Sequence, residues 1–207
     1  FKSIRILSGP SFSNEESQGL PTAVTLATKD KKDFNNISKL IPNKEFRIYY
    51  SNDLIGTQIG GSLKNIYAIA AGISEGLNLG ENAKSALISR SFAEMTRYAK
   101  KFKADKNTLF GLSGLGDLIL TCSSTNSRNT QFGIKLASSK YDNFLDLLKS
   151  QEVTEGYYTV KAVYNISQKK NIDMPIMESV YNILYKQHDL KEELSNLLSR
   201  PITEEKI

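Results

Sequence analysis

The sequence predicts a mainly α fold, with a short α/β portion over residues 1–52 and an all-α portion over 53–207. Three observations carry this. Before position 51, short apolar runs alternate with helical stretches. Beyond it, apolar residues recur at three- and four-residue spacing and no convincing strand follows. In the longest periodic stretch, 55–77, Ile55, Ile59, Leu63, Ile66, Ile73 and Leu77 fall at the period of one buried helix face.

The elements follow in order. Residues 4–7 predict a short strand, with a turn at Ser8-Gly9-Pro10. Residues 12–18 read as a short polar helix begun by Ser11 or Ser13. A second strand over 22–27 is apolar enough to be buried in a sheet. A helix over 31–40 stops before Pro42, and a third strand covers 46–50. Strand–helix–strand at this spacing reads as the end of an α/β sheet. Asn52 or Asp53 then caps the 55–77 helix, and Gly80 lies just past its end. A second long helix over 81–103 buries Ile88, Phe92, Met95, Ala99 and Phe102. Arg90, Glu94 and Arg97 lie on another of its faces at ion-pair spacing. The glycine-broken stretch 111–117 runs into the apolar 118–122 and the polar 123–129. Shorter helices are predicted over 131–137, 144–149, 158–169, 176–186 and 190–199. Pro175 starts the penultimate one and Asp189 caps the last.

Composition narrows the function classes. A formal charge of +5 comes from scattered lysine clusters, without an arginine-rich arm, so nucleic acid is not an expected partner. No apolar run approaches the roughly 20 residues of a membrane span. A single cysteine, Cys122, excludes an internal disulfide and fits a reducing, cytoplasmic setting. One Cys and one His make a zinc site from those ligands unlooked-for, and no metal is expected. The apolar run before Cys122 reads as core, and His188 has no evident partner.

The central stretch is Gly60-Gly61-Ser62-Leu63-Lys64-Asn65-Ile66. Lys64 stands beside the apolar stripe over a floor of small residues: Thr57, Gly60, Gly61, Ala68 and Ala71. Each mid-helix glycine costs about 0.8–1 kcal/mol against alanine, so a backbone or ligand should approach closely there. The alternative is helix packing with a snorkelling lysine. Asp117, after Gly114-Leu115-Gly116, is either a helix cap or a carboxylate that holds an ammonium. Ser127-Arg128-Asn129 precedes a helix. Free N–H groups and a guanidinium suit a small anion there, although alone the trio also reads as an ordinary cap. Glu155 lies in a polar loop, 153–157. There is no G-x-G-x-x-G and no phosphate-loop motif, so the chain lacks a self-contained nucleotide site.

Taken in order, these pieces resemble the bacterial NAD(P)-dependent glycerol-3-phosphate dehydrogenases. The motifs are Leu7-Ser8-Gly9-Pro10-Ser11-Phe12, Gly19-Leu20-Pro21-Thr22-Ala23, Gly60–Asn65, Gly114–Leu118, Ser127-Arg128-Asn129 and Glu155-Gly156-Tyr157. The resemblance implies that residues 1–52 are the last part of a Rossmann domain whose first part has no counterpart here. Residues 53–207 would be the helical substrate-binding and dimerisation domain. It implies a cytoplasmic homodimeric oxidoreductase that uses NAD or NADP. Its substrates would be sn-glycerol 3-phosphate and dihydroxyacetone phosphate, in glycerophospholipid precursor synthesis, and this chain alone would not turn over. By the same resemblance Lys64 is the catalytic lysine. Gly9, Ser11, Lys64, Asp117, Ser127, Arg128 and Asn129 contact substrate, and Ser13, Arg128, Val153 and Glu155 contact cofactor. Asn65 and Thr121 are further contacts. Serines at 11 and 13 depart mildly from the family's usual threonine and alanine. Two other readings remain open: a non-catalytic helical dimerisation module, or a sister dehydrogenase acting on another hydroxy acid.

Overall fold

The computed structural model describes residues 4–41, 44–138, 154–201 and 204. The expected helix over 144–149 and Val153 lie outside these residues.

The α/β portion is a three-stranded sheet in the order β1-β2-β3: Arg5–Ser8, Thr22–Thr28 and Phe46–Ser51. β1 runs antiparallel to β2, and β3 runs parallel to it. The parallel pair needs a crossover, and helix α2 (Lys31–Leu40) supplies it, capped by the Asp30 carboxylate. β2 is central and carries the buried Val24, Leu26 and Ala27. The short helix α1 (Ser13–Ser17) begins differently from expectation. Its N-cap is Phe12, and neither Ser11 nor Ser13 caps it. The Ser11 hydroxyl instead donates to the Gly9 carbonyl.

Helix α3 (Leu54–Gly76) is the axis of the helical portion. Asp53 caps it by accepting from the Gly56 N–H at 2.9 Å. The other Asp53 oxygen accepts from Asp105 N–H, tying in the start of α5 (Lys106–Phe110), an element the sequence pattern did not reveal. From Ile66 to Ser74 every α3 residue is buried, so this helix is enclosed on all sides. Ile55 departs from the expected stripe and is exposed. Around α3 pack α4 (Gly80–Lys101), a π-helical turn (Leu112–Gly116), α6 (Asp117–Ser123), α7 (Arg128–Ala137), α8 (Glu155–Lys170) and α9 (Pro175–Lys186). The last helix, α10 (Leu190–Leu198), packs on α9 and is capped by Asp189.

Two features set the spacing of this core. A side chain at Gly72 would place its Cβ 2.0 Å from the Thr130 carbonyl oxygen, and one at Gly133 would meet Ile69 O at 2.1 Å. The glycines therefore let α3 and α7 cross with their backbones in contact. The second feature is Glu94. The sequence placed it on a face with Arg90 and Arg97, but it is fully buried and faces the start of α9. Pro175 lacks an N–H, and α9 has no side-chain cap of its own. Glu94 fills that role from α4: the Ile176 and Met177 N–H groups donate to its two oxygens at 2.6 and 3.2 Å, and the Tyr67 hydroxyl donates at 3.4 Å.

Burial pushes the Glu94 carboxyl up to about 7, against the pull of these backbone donors. A carboxyl raised on folding binds more protons folded than unfolded, so its contribution to stability falls as pH rises from about 4.5 to 7. Thermal melts of the wild type across pH 4–8, with Glu94→Gln as reference, should show the wild type losing about 3 kcal/mol relative to the variant through that window. A constant difference across that range would contradict this assignment.

Candidate functional site

A cleft of about 800 Å³ opens between the end of β1 and the middle of α3. Its walls come from the Ser8–Asn14 turn, the cleft face of α3, the start of α6 and the starts of α7 and α8. Gly9 reaches this wall only because it has no side chain: a Cβ there would lie 2.9 Å from Val24 Cα.

Lys64 and Asp117 meet on the floor. Lys64 Nζ donates to both Asp117 oxygens at 2.6 Å, joining positions 53 residues apart. The Asp117 side chain is 2% exposed and that of Lys64 is 21% exposed, so the ammonium still reaches the cleft. Asp117 therefore does not cap α6 with its carboxylate. Burial raises its pKa, opposed by the Lys64 charge and by the Thr121 hydroxyl, which lies 3.3 Å from Oδ1. The glycine pair before Lys64 has two different neighbours. Gly60 lies against backbone, where a Cβ would come within 1.9 Å of Ser113 O; Gly61 faces the Ser8 hydroxyl. The close approach at Gly60 is thus made by the π-helical turn of this chain, and that contact places Asp117, the next residue after the turn, against Lys64.

Ser127, Arg128 and Asn129 come together where α7 begins. Ser127 is its N-cap and accepts from Thr130 N–H at 3.3 Å; Arg128 and Asn129 lie in its first turn, earlier than the periodicity indicated. Arg128 is exposed at the mouth and pairs with Glu155. Glu155 is likewise helical, the first residue of α8, and not in a loop. Asn129 is buried: its amide donates to Asn65 Oδ1 at 3.1 Å, and its carbonyl oxygen accepts from Gly156 N–H at 3.0 Å. Gly156 has to be small, since a Cβ would meet Asn65 O at 2.6 Å. These bonds hold the starts of α7 and α8 against α3 beside Lys64.

Gly9, Ser11, Ser13, Lys64, Asn65, Asp117, Thr121, Ser127, Arg128, Asn129 and Glu155 therefore all border one cleft. Gln58 and Ser62 border it too and were missed. With Asn65 they form a polar i, i+4, i+7 row on an otherwise apolar helix, which was a readable signal. Cys122 and His188 lie elsewhere. Burial pushes the Cys122 thiol up to about 12, which fits core. His188 Nδ1 sits 2.7 Å from the buried Glu193 carboxylate, a partner five residues on.

Comparison with known proteins gives the same direction. Residues 53–195 match the family described as NAD-dependent glycerol-3-phosphate dehydrogenase C-terminus. The chain is 44% identical over 199 residues to glycerol-3-phosphate dehydrogenase [NAD(P)+] of Colwellia psychrerythraea, covering 96% of this chain and 59% of that protein. It is 46% identical over 207 residues to the Blochmanniella pennsylvanica protein of the same name, covering 99% and 59%. Its fold matches the crystal structure of glycerol-3-phosphate dehydrogenase from Coxiella burnetii with a TM-score of 0.90 at 39% identity, over 96% of this chain and 61% of that one. A Plasmodium falciparum glycerol-3-phosphate dehydrogenase structure matches at 0.85 and 27%, over 97% and 58%. The chain thus spans about three fifths of the length of the curated relatives it matches. The family-model match, the relatives and the fold together show that this chain belongs to the NAD-dependent glycerol-3-phosphate dehydrogenase family.

Proposed function

We propose that this chain supplies the substrate half of an NAD(P)-dependent sn-glycerol-3-phosphate dehydrogenase, with Lys64 as the proton donor and acceptor. The observation that carries this is the Lys64–Asp117 pair on the floor of a cleft whose far end holds Arg128. On this reading residues 1–52 complete a nucleotide-binding unit, residues 53–207 bind substrate and form the homodimer, and the enzyme acts in the cytoplasm on a precursor of glycerophospholipids.

The substrate phosphate lies at the start of α7. There the free N–H groups and the Arg128 guanidinium present fixed donors to a dianion. This orients the C2 oxygen of dihydroxyacetone phosphate toward Lys64 Nζ. As that oxygen gains negative charge, the ammonium stabilises it and transfers a proton; in reverse, neutral lysine removes the proton from the alcohol. Asp117 fixes Nζ through both oxygens, so the donor does not wander when the cleft is wet. The Thr121 hydroxyl lies beside the pair, donating to the Asp117 backbone carbonyl at 2.6 Å.

The cleft fits a nicotinamide cofactor in part. It is larger than a triose phosphate needs, and Ser13, Arg128 and Glu155 offer hydroxyl, guanidinium and carboxylate groups along one wall. When bound, the nicotinamide supplies or accepts the hydride. The glycine-rich turn that would hold its pyrophosphate is not in this sequence.

Calorimetry with sn-glycerol 3-phosphate tests the site. The chain should bind it, and Arg128→Ala should weaken binding at least about tenfold, as loss of a charge-assisted contact does. Equal binding by both proteins would remove Arg128 from the site. A non-catalytic helical module would bind neither ligand nor analogue.

A further inference from the structure

Two of the scattered lysine clusters, 100–106 and 169–170, meet in the fold. Helix α4 ends at Lys101 and α8 ends at Lys170. Lys170 Nζ lies 5.1 Å from the centre of the ring of Phe102, the residue between Lys101 and Lys103. Lys100, Lys101, Lys103, Lys106, Lys169 and Lys170 are all exposed. Among the described residues none of them forms an ion pair. The acidic groups next to them in sequence are engaged elsewhere. Asp173 pairs with Arg200, and its carbonyl accepts from Arg97. Asp105 caps α5 by accepting from Asn107 N–H. Helix-end dipoles account for a basic residue or two in each last turn. They do not account for Lys103, which lies beyond α4 in the left-handed position (φ 57°) where glycine is usual. Nor do they account for Lys106, which opens α5, where the dipole disfavours a cation.

We propose that this corner of the helical portion, where α4, α5 and α8 meet, is a reversible docking surface for an anionic lipid leaflet. Its lysines stand beside apolar rings and not beside carboxylates: Lys170 lies over Phe102, and Lys106 Nζ lies 5.4 Å from the centre of the half-exposed Phe110 ring. A leaflet matches this arrangement, taking the ammonium groups at its phosphates and the lysine stems and ring edges at headgroup level. Surface clusters of about four to eight basic residues bind anionic lipid in this way. Nucleic acid fits less well, because the two nearby arginines, Arg97 and Arg200, are tied to Asp173 and offer no open fork. Among the described residues no helix is long and apolar enough to cross a membrane, so the attachment rests on charge and is salt-sensitive. The surface is independent of the catalytic reading above.

Co-sedimentation of the full chain with vesicles tests this, using equal parts phosphatidylglycerol and phosphatidylcholine, and phosphatidylcholine alone. The wild type should bind the anionic vesicles at ~0.05 M salt, release them at ~0.5 M, and ignore the neutral ones. Lys101→Gln, Lys103→Gln and Lys170→Gln together should weaken binding about 100-fold, since each lysine near an anionic surface contributes about fivefold. Lys31→Gln, Lys32→Gln and Lys39→Gln together remove the same charge from α2, in the sheet portion, and should change binding by no more than about twofold. All of these positions are exposed, so both variants should keep the wild-type melting temperature. Equal losses in the two variants would reduce the effect to net charge and overturn the docking surface. Binding of the wild type to duplex DNA but not to vesicles, or to neither, would overturn it as well.

Discussion

Replacing Lys64 with alanine is expected to lower kcat by about 10³-fold, within the 10²–10⁴ range of a lost general acid. The measurement is NADH oxidation on addition of dihydroxyacetone phosphate, in a protein that joins this chain to the amino-terminal two fifths of a relative. Lys64→Arg separates charge from proton transfer. Arginine keeps a cation beside Asp117 but does not release a proton in the working range, so it should remain slow in turnover. Recovery of full activity in Lys64→Arg would reduce the lysine to an electrostatic role. The geometry explains why the effect should be large. Nζ is fixed by two 2.6 Å bonds to a nearly inaccessible carboxylate and still faces the cleft.

The largest stability effect is expected at the α3–α7 crossing. Gly72→Ala adds a methyl group where the Thr130 carbonyl oxygen would be 2.0 Å away. Backbone cannot step aside as a side chain does, so the two helices must separate. The expected loss is at least about 3 kcal/mol, the upper part of the overpacking range, and it outweighs the roughly 1 kcal/mol that alanine gains over glycine in a helix. For a chain of this length that lowers the melting temperature by roughly 6–12 °C. Gly61→Ala is the control. Among the described residues only the Ser8 side chain lies near it, so its melting temperature should stay within a few degrees of wild type, about 1 kcal/mol. Similar losses at both positions would mean that backbone contact does not set the α3–α7 distance.

Much of this arrangement was legible in the sequence because it is local. The α3 stripe, the Asp53 and Asp189 caps and the α2 crossover all follow from periodicity and capping chemistry within a few residues. Lys64 stood out by the small residues around it, and the ordered motifs supplied its partners. What escaped is non-local. The Glu94 contact with the start of α9 spans 82 residues, so helical spacing alone placed that carboxylate on a charged surface face. Gly60 signalled a close approach, but its cause, the Ser113 carbonyl, depends on a π-helical turn with no periodic signature. Helix α5 is only five residues long, too short for an apolar stripe to declare it. The starts of α7 and α8 were placed late, because Arg128, Asn129, Glu155 and Gly156 read as polar loop until their tertiary bonds fix them as first-turn residues.

Substrate selection in the joined protein tests the central claim most directly. Initial rates of NADH or NADPH oxidation are measured with dihydroxyacetone phosphate and with unphosphorylated dihydroxyacetone and pyruvate at equal concentration. The expected result is turnover of the phosphate ester at least about 10³-fold more efficient by kcat/KM than either of the others, reflecting loss of the charged contacts at Arg128. Comparable turnover of pyruvate, or none with the phosphate ester, would contradict a polyol-phosphate site built on Lys64, Asp117 and Arg128.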